Sequence, residues 1–172
     1  YEDVCAVMAD VNKDGFQDII VGSGGNEYYG EDKHMMPRVY LNSTKGQFTT
    51  LNDAIPVYNQ SSDIVARDFN QDGAIDLLIT SRVKAMDYGA PIDSYLLYNL
   101  GDGHFKNVTA SVAPDLIGLG FITSATEMDV NKDGKMEILL THQWGGIDVL
   151  YPSVKKWTKA TATNLPGWWN FT

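Results

Sequence analysis

Three acidic nonapeptides hold most of the chemistry that this chain can be expected to do: Asp10-Val-Asn-Lys-Asp-Gly-Phe-Gln-Asp18, Asp68-Phe-Asn-Gln-Asp-Gly-Ala-Ile-Asp76 and Asp129-Val-Asn-Lys-Asp-Gly-Lys-Met-Glu137. Oxygen-bearing side chains fall at positions 1, 3, 5 and 9, and Gly stands at position 6. A short loop wraps a hard cation in this way, with Gly taking the sharp turn. The candidate ligands are Asp10, Asn12, Asp14, Phe16 and Asp18 in the first loop, with Phe16 contributing through its backbone. In the second they are Asp68, Asn70, Asp72, Ala74 and Asp76, and in the third Asp129, Asn131, Asp133, Lys135 and Glu137. Holding three carboxylates together without a cation costs roughly 1 kcal/mol per pair even in water, and more where water is excluded. The loops are therefore expected to bind Ca²⁺, about three ions in all, and to be stabilised by it. Three divalent ions would bring the formal net charge from -9 to -3.

The loops need elements that hold both of their ends. An EF-hand opens with the same Asp-x-Asn-x-Asp-Gly but closes with Glu at position 12 between two helices. Here position 12 is Val21, Ile79 or Leu140. The flanks are short apolar runs instead: Val4–Ala9 and Asp18–Gly22, Asp63–Arg67 and Asp76–Thr80, Ile122–Met128 and Glu137–Thr141. These read as strands, so each loop joins two strands. The loops start at residues 10, 68 and 129, which sets a repeat of about 60 residues.

Two further strands follow each loop. Arg38–Asn42 and Gly46–Thr50 flank Ser-Thr-Lys, and Ser94–Tyr98 and Gly103–Val108 flank Asn-Leu-Gly-Asp; both pairs read as hairpins. The third unit keeps Ile147–Tyr151 but replaces the turn with Pro152-Ser-Val-Lys-Lys. Pro56, Pro114 and Pro166 end the units. Four short strands per unit, without helical periodicity, predict an all-β chain of about three four-stranded antiparallel β-propeller blades. The expected repeats are 1–57, 58–115 and 116–166, with 167–172 starting a further blade and Trp168-Trp169 in its inner strand.

The nonapeptides, the Leu41-Asn42 and Tyr98-Asn99 pairs and the following Gly-x-Phe resemble the FG-GAP or VCBS repeat family, whose calcium-loop blades also build the integrin α-subunit propeller. Within that group the chain is most similar to bacterial VCBS proteins with an ASPIC and UnbV type region. The residues that carry this are Val21-Gly-Ser-Gly-Gly-Asn-Glu27, Leu97-Tyr-Asn-Leu-Gly-Asp-Gly-His-Phe105, Gln143-Trp144 and Gly167-Trp-Trp-Asn170. The resemblance covers essentially the whole chain and implies a fragment of a larger, seven-bladed propeller. Glu137 and the altered turn of the third unit depart from the pattern. Three blades alone would leave edges and apolar faces for the rest of the parent propeller, or another copy of the chain, to cover.

Composition bounds the partners. An apolar fraction of 44% gives no sign of disorder, and no stretch approaches the length of a membrane span. The acidic balance argues against nucleic acid, which calls for basic stripes. Calcium loops suit a location where free calcium is plentiful, so the expected place is extracellular, on the cell surface or in the periplasm. The single Cys5 has no partner for an internal disulfide and reads as a small buried hydrophobe. Four Asn-x-Ser/Thr sequons, at Asn42, Asn59, Asn107 and Asn170, matter only in a eukaryotic source.

Strand order also places the ligand face. In a four-stranded meander the calcium loops share one end of the sheets, and the long second-to-third connections lie at the other. Those connections bring Tyr28, Tyr29, His34, Arg82, Lys84, Tyr88 and Trp144 to a common face, where aromatic and polar groups suit a glycan or a protein loop. Catalytic motifs are absent, and the three histidines show no metal-ligand spacing. The expected function is a non-catalytic, calcium-binding scaffold for extracellular protein or glycan. The alternative is part of a calcium-dependent polysaccharide-active enzyme of the lyase type, using the Tyr, His, Arg and Lys residues of the long-loop face.

Overall fold

The second strand of every unit carries a continuous apolar run, Ile19-Ile20-Val21, Leu77-Leu78-Ile79 or Ile138-Leu139-Leu140, which calls for sheets stacked face to face. The computed structural model, which describes residues 2–43 and 46–162, has that arrangement. Three four-stranded antiparallel sheets follow one another, each in sequential strand order. The first contains β1 (Glu2–Ala9), β2 (Asp18–Gly24), β3 (Arg38–Asn42) and β4 (Phe48–Leu51). The second contains β5 (Ser61–Arg67), β6 (Asp76–Ser81), β7 (Tyr95–Asn99) and β8 (Phe105–Asn107), and the third β9 (Ile122–Met128), β10 (Glu137–His142), β11 (Ile147–Tyr151) and β12 (Thr158–Ala162). These are β-propeller-like blades. The strands expected from sequence recur with shifts of one or two residues, and the Pro152 turn still closes a paired β11–β12 hairpin. The one α-helical turn among the described residues, α1 (Thr109–Val112), was not anticipated; it follows Val108 and is capped at its end by Ala113 donating to the Thr109 carbonyl. Trp168-Trp169 and residues 167–172 lie outside the described residues.

The first strands of consecutive sheets are neighbours, β1 against β5 and β5 against β9. Every residue of β6 is buried. Leu77 and Ile79 join Ile20, Val39 and Leu97 in one core between the first and second sheets, while Leu78 joins Ile138, Leu140 and Trp157 in another between the second and third. Because successive side chains point to opposite faces, a continuous Leu-Leu-Ile run is what a strand between two sheets needs. Gly22 permits the close approach at the first junction, since a Cβ there would lie 2.5 Å from Cys5 Sγ and 2.7 Å from Ser61 Cβ. Cys5 is half-buried and not fully buried as expected, and burial, with Asp63 as a smaller cause, pushes its thiol up to about 11.

The repeats also interlock through backbone. Phe105 of β8 donates to the Ala54 carbonyl (2.8 Å), and Trp157 in the third sheet donates to Val112 (2.7 Å); both side chains are buried in the sheet before them. Phe48 holds the matching place in the first sheet and is 45% exposed. The first sheet therefore presents the inserting half of a blade junction. Exposed Met8 of β1 belongs to the same open side.

Asn99 ties the first junction together. Its Nδ2 donates to Val11 O of the preceding sheet (2.8 Å) and to Ile75 O (3.0 Å), and its Oδ1 accepts from Gly101 N and Gly103 N. Replacing Asn99 by Ala leaves several buried polar groups without partners. Urea unfolding should show a loss of about 2–4 kcal/mol, against under about 1 kcal/mol for Leu100→Ala, whose side chain is exposed.

Candidate functional site

The three acidic loops adopt one conformation. Position 4 is left-handed in each, at Lys13 (φ 62), Gln71 (φ 65) and Lys132 (φ 60), and so is Gly at position 6, at Gly15, Gly73 and Gly134. Nothing lies within 4 Å of a Cβ built on these glycines, so Gly is required for its backbone angle and not for space. The carboxylate at position 1 accepts from the amides of positions 5 and 6: Asp14 and Gly15 donate to Asp10, Asp72 and Gly73 to Asp68, Asp133 and Gly134 to Asp129. The carboxylate at position 5 accepts from the amide of position 7, which is Phe16, Ala74 or Lys135. It also accepts from the Asn at position 3. These bonds, backbone donor first, hold the carboxyls of Asp72 and Asp133 below the usual range.

Position 9 behaves differently. Asp18, Asp76 and Glu137 are buried and turn into the sheet. Asp18 accepts from Val11 N (2.9 Å) and Asn42 N (2.8 Å), and Asp76 from Phe69 N and Asn99 N (both 2.9 Å) and from Asn70 N. Glu137 accepts from Val130 N (2.9 Å). The third sheet has Pro152 at the register of Asn42 and Asn99, where no N–H is available. Burial, opposed by its three backbone donors, raises the Asp76 carboxyl to about 6.

The donor set suits a hard divalent cation. Among the described residues, no Lys or Arg nitrogen lies within 4.0 Å of any of the nine loop carboxylates. Within each loop the Asp at positions 1 and 5, the Asn at position 3 and the carbonyl of position 7 form the exposed tip. Because the position 9 carboxylate is drawn inward, no group of three or more His, Cys, Asp or Glu side chains converges on one point among the described residues. The loop thus has an acidic tip and a buried acidic base.

At the other end of the sheets, the structure divides the expected ligand face into two hollows. Tyr28 stacks on His34 (centroids 4.1 Å, 16° between planes), and Asp32 holds the His34 ring at 2.6 Å. Tyr29 and Lys84 line a hollow of about 430 Å³ with Tyr58 and Tyr95. Arg82 and Tyr88 line another, of about 420 Å³, near the first residues of β1, β5 and β9. Trp144 sits beside it, edge-on to Tyr88 at 5.4 Å. Two residues of this second group were not anticipated as site residues. Gln143 accepts from Arg82 Nε (3.2 Å) and bonds the Tyr88 hydroxyl; Phe121 packs 5.1 Å from Trp144. Phe121 stands just ahead of the expected strand Ile122–Met128, and nothing in the sequence signals its left-handed backbone (φ 55).

Of the three histidines, His142 is the one drawn inward. Its side chain is only 9% exposed and faces Asp148 at 3.2 Å. Asn59, one of the sequons, is fully buried and donates to Ser81 Oγ, so it is closed to glycosylation in the folded chain.

The tip and the base of a loop should separate experimentally. In chelator, Asp76→Ala should cost about 2–4 kcal/mol by urea unfolding because three amides lose their acceptor, while Asp72→Ala at the exposed tip should cost under about 1 kcal/mol.

No curated protein gives a significant match to the chain. Residues 10–79, from the first acidic loop through most of β6, match the family model described as FG-GAP-like repeat. That match, over blades whose loops and sheets repeat one pattern, supports the FG-GAP repeat family and with it a β-propeller-like interaction domain.

Proposed function

We propose that this chain is a calcium-stabilised segment of a secreted or cell-surface propeller, which displays its long-loop end to an extracellular protein or glycan. The observation that carries this reading is the division of each acidic loop into a cation-free tip and a base bonded into the sheet. Calcium at the tip would be held by the Asp at positions 1 and 5, the Asn at position 3 and the carbonyl of position 7, with the position 9 carboxylate beneath it. Bound there, it would neutralise the clustered anions and lock loops that already share one shape. About three ions are expected. The parent propeller has seven blades and belongs with VCBS proteins of the ASPIC and UnbV type. Its further blades cover the open side marked by Phe48 and Met8.

A non-catalytic role is favoured over a lyase by the separation of the polar groups. A lyase needs a base and a cationic or hydrogen-bonding group that stabilises the developing anion at one bond. His34 is engaged with Asp32 and Tyr28, while Arg82 and Tyr88 belong to the other hollow with Gln143.

Calorimetric titration of chelator-treated protein should find about three calcium sites, with a rise of several degrees in melting temperature. Absence of calcium binding would contradict the proposal, as would an unsaturated, ultraviolet-absorbing product formed on an acidic polysaccharide.

A further inference from the structure

We infer that the hollow beside Arg82, Tyr88 and Trp144 binds a glycan that carries carboxylate groups. This deepens the proposed function and rests on the long-loop end being the binding end.

Three features of the hollow point to this ligand. The first is its rim. Tyr88 is 63% and Trp144 52% exposed, although both are fixed, Tyr88 through its hydroxyl to Gln143 and Trp144 between Tyr88 and Phe121. Rings that are rigid and yet exposed offer apolar faces at low ordering cost. The C–H face of a pyranose ring is complementary to such a surface. The second is its floor. Gln60, Ser61, Ser62 and Thr123 line the hollow with Val4 and Val83, so groups that can bond sugar hydroxyls stand beside small apolar side chains. Exposed Glu2 also lines it and can accept from sugar hydroxyls.

The third feature is Arg82. Its recorded side-chain bond runs from Nε to Gln143, and it has no acidic partner among the described residues of a chain with 22 acidic and 13 basic side chains. Both terminal amino groups are left to form the planar fork that recognises carboxylate. Its volume of about 420 Å³ lies within the range of small-ligand sites.

The local backbone is built to hold these groups still. Phe121 donates to the Arg82 carbonyl (2.6 Å), and Gln143 donates to the Phe121 carbonyl (2.7 Å), so one left-handed residue joins the two loops that supply Arg82 and Trp144. Backbone strain of this kind persists only where the surroundings impose it, and it concentrates at functional sites. Met86 N donates to Asn26 Oδ1 and anchors the Tyr88 loop to the first blade.

The test is calorimetry with hyaluronan oligosaccharides, oligogalacturonates and neutral cello-oligosaccharides, on the calcium-loaded and the chelated protein. Both acidic glycans should bind, and the neutral one should not. Trp144→Ala and Arg82→Gln should each weaken binding about tenfold or more, whereas Leu100→Ala, in the exposed turn at the opposite end of the sheets, should leave it unchanged. All three positions are exposed, and unchanged melting temperatures confirm that the variants fold. Equal binding of the neutral glycan overturns the inference, as does acidic-glycan binding that is indifferent to Trp144 and Arg82. If no glycan binds while about three calcium sites titrate normally, this inference fails and the calcium-scaffold reading stands. If calcium binding also fails, both fall.

Discussion

The structure depends on a buried carboxylate at the ninth position of each acidic loop. A buried anion is costly unless hydrogen bonds surround it, and here the bonds come from places the fold must bring together. Asp18 accepts from the start of its own loop at Val11 and from the end of β3 at Asn42. Asp76 does the same through Phe69 and Asn99. One side chain thus closes the loop and fixes the register of the third strand against the second. The Asn at the end of the third strand completes the lock by donating to the carbonyl of position 8, Gln17 or Ile75. In the second sheet that amide reaches further, to Val11 of the blade before it.

The third blade shows how far the constraint can be relaxed. Pro152 removes the donor that would answer the second carboxylate oxygen, and the acid there is the longer Glu137, bonded to Val130. The hairpin still forms, with Ser153 Oγ donating to Lys156 O and accepting from Lys156 N across the turn, and Trp157 fills the place that Phe105 holds in the second blade. Loop closure is retained while the tie to the outer hairpin is replaced by packing.

Much of the scaffold is legible in the chain. The spacing of the loops reveals the repeat, and the β-branched and leucine-rich runs beside them reveal strands, because a strand between two sheets must be apolar on both faces. The pairing of loops with one end and long connections with the other follows from antiparallel order alone. The finer arrangement of the ligand end is less legible. Nothing in Tyr28 and His34 announces that they stack with each other and leave Arg82 to Gln143. Phe121 stands directly before the Ile122–Met128 run, and nothing in that run announces its left-handed backbone. These outcomes depend on contacts between loops far apart in sequence, such as Met86 with Asn26, and no local pattern encodes them. The distinction between the tip and the base of each loop is likewise hidden, since Asp stands at both places in the first two nonapeptides.

Amide hydrogen exchange on calcium-free protein tests the central claim most directly. If the ninth carboxylate is the anchor, the amides of Val11, Phe69 and Val130 exchange as slowly as those inside β6, while Gly15, Gly73 and Gly134 at the loop tips exchange quickly until calcium is added. Fast exchange of Val11, Phe69 and Val130 without calcium would contradict the account, because the loops would then be tied to the sheets by the metal and not by the buried acid.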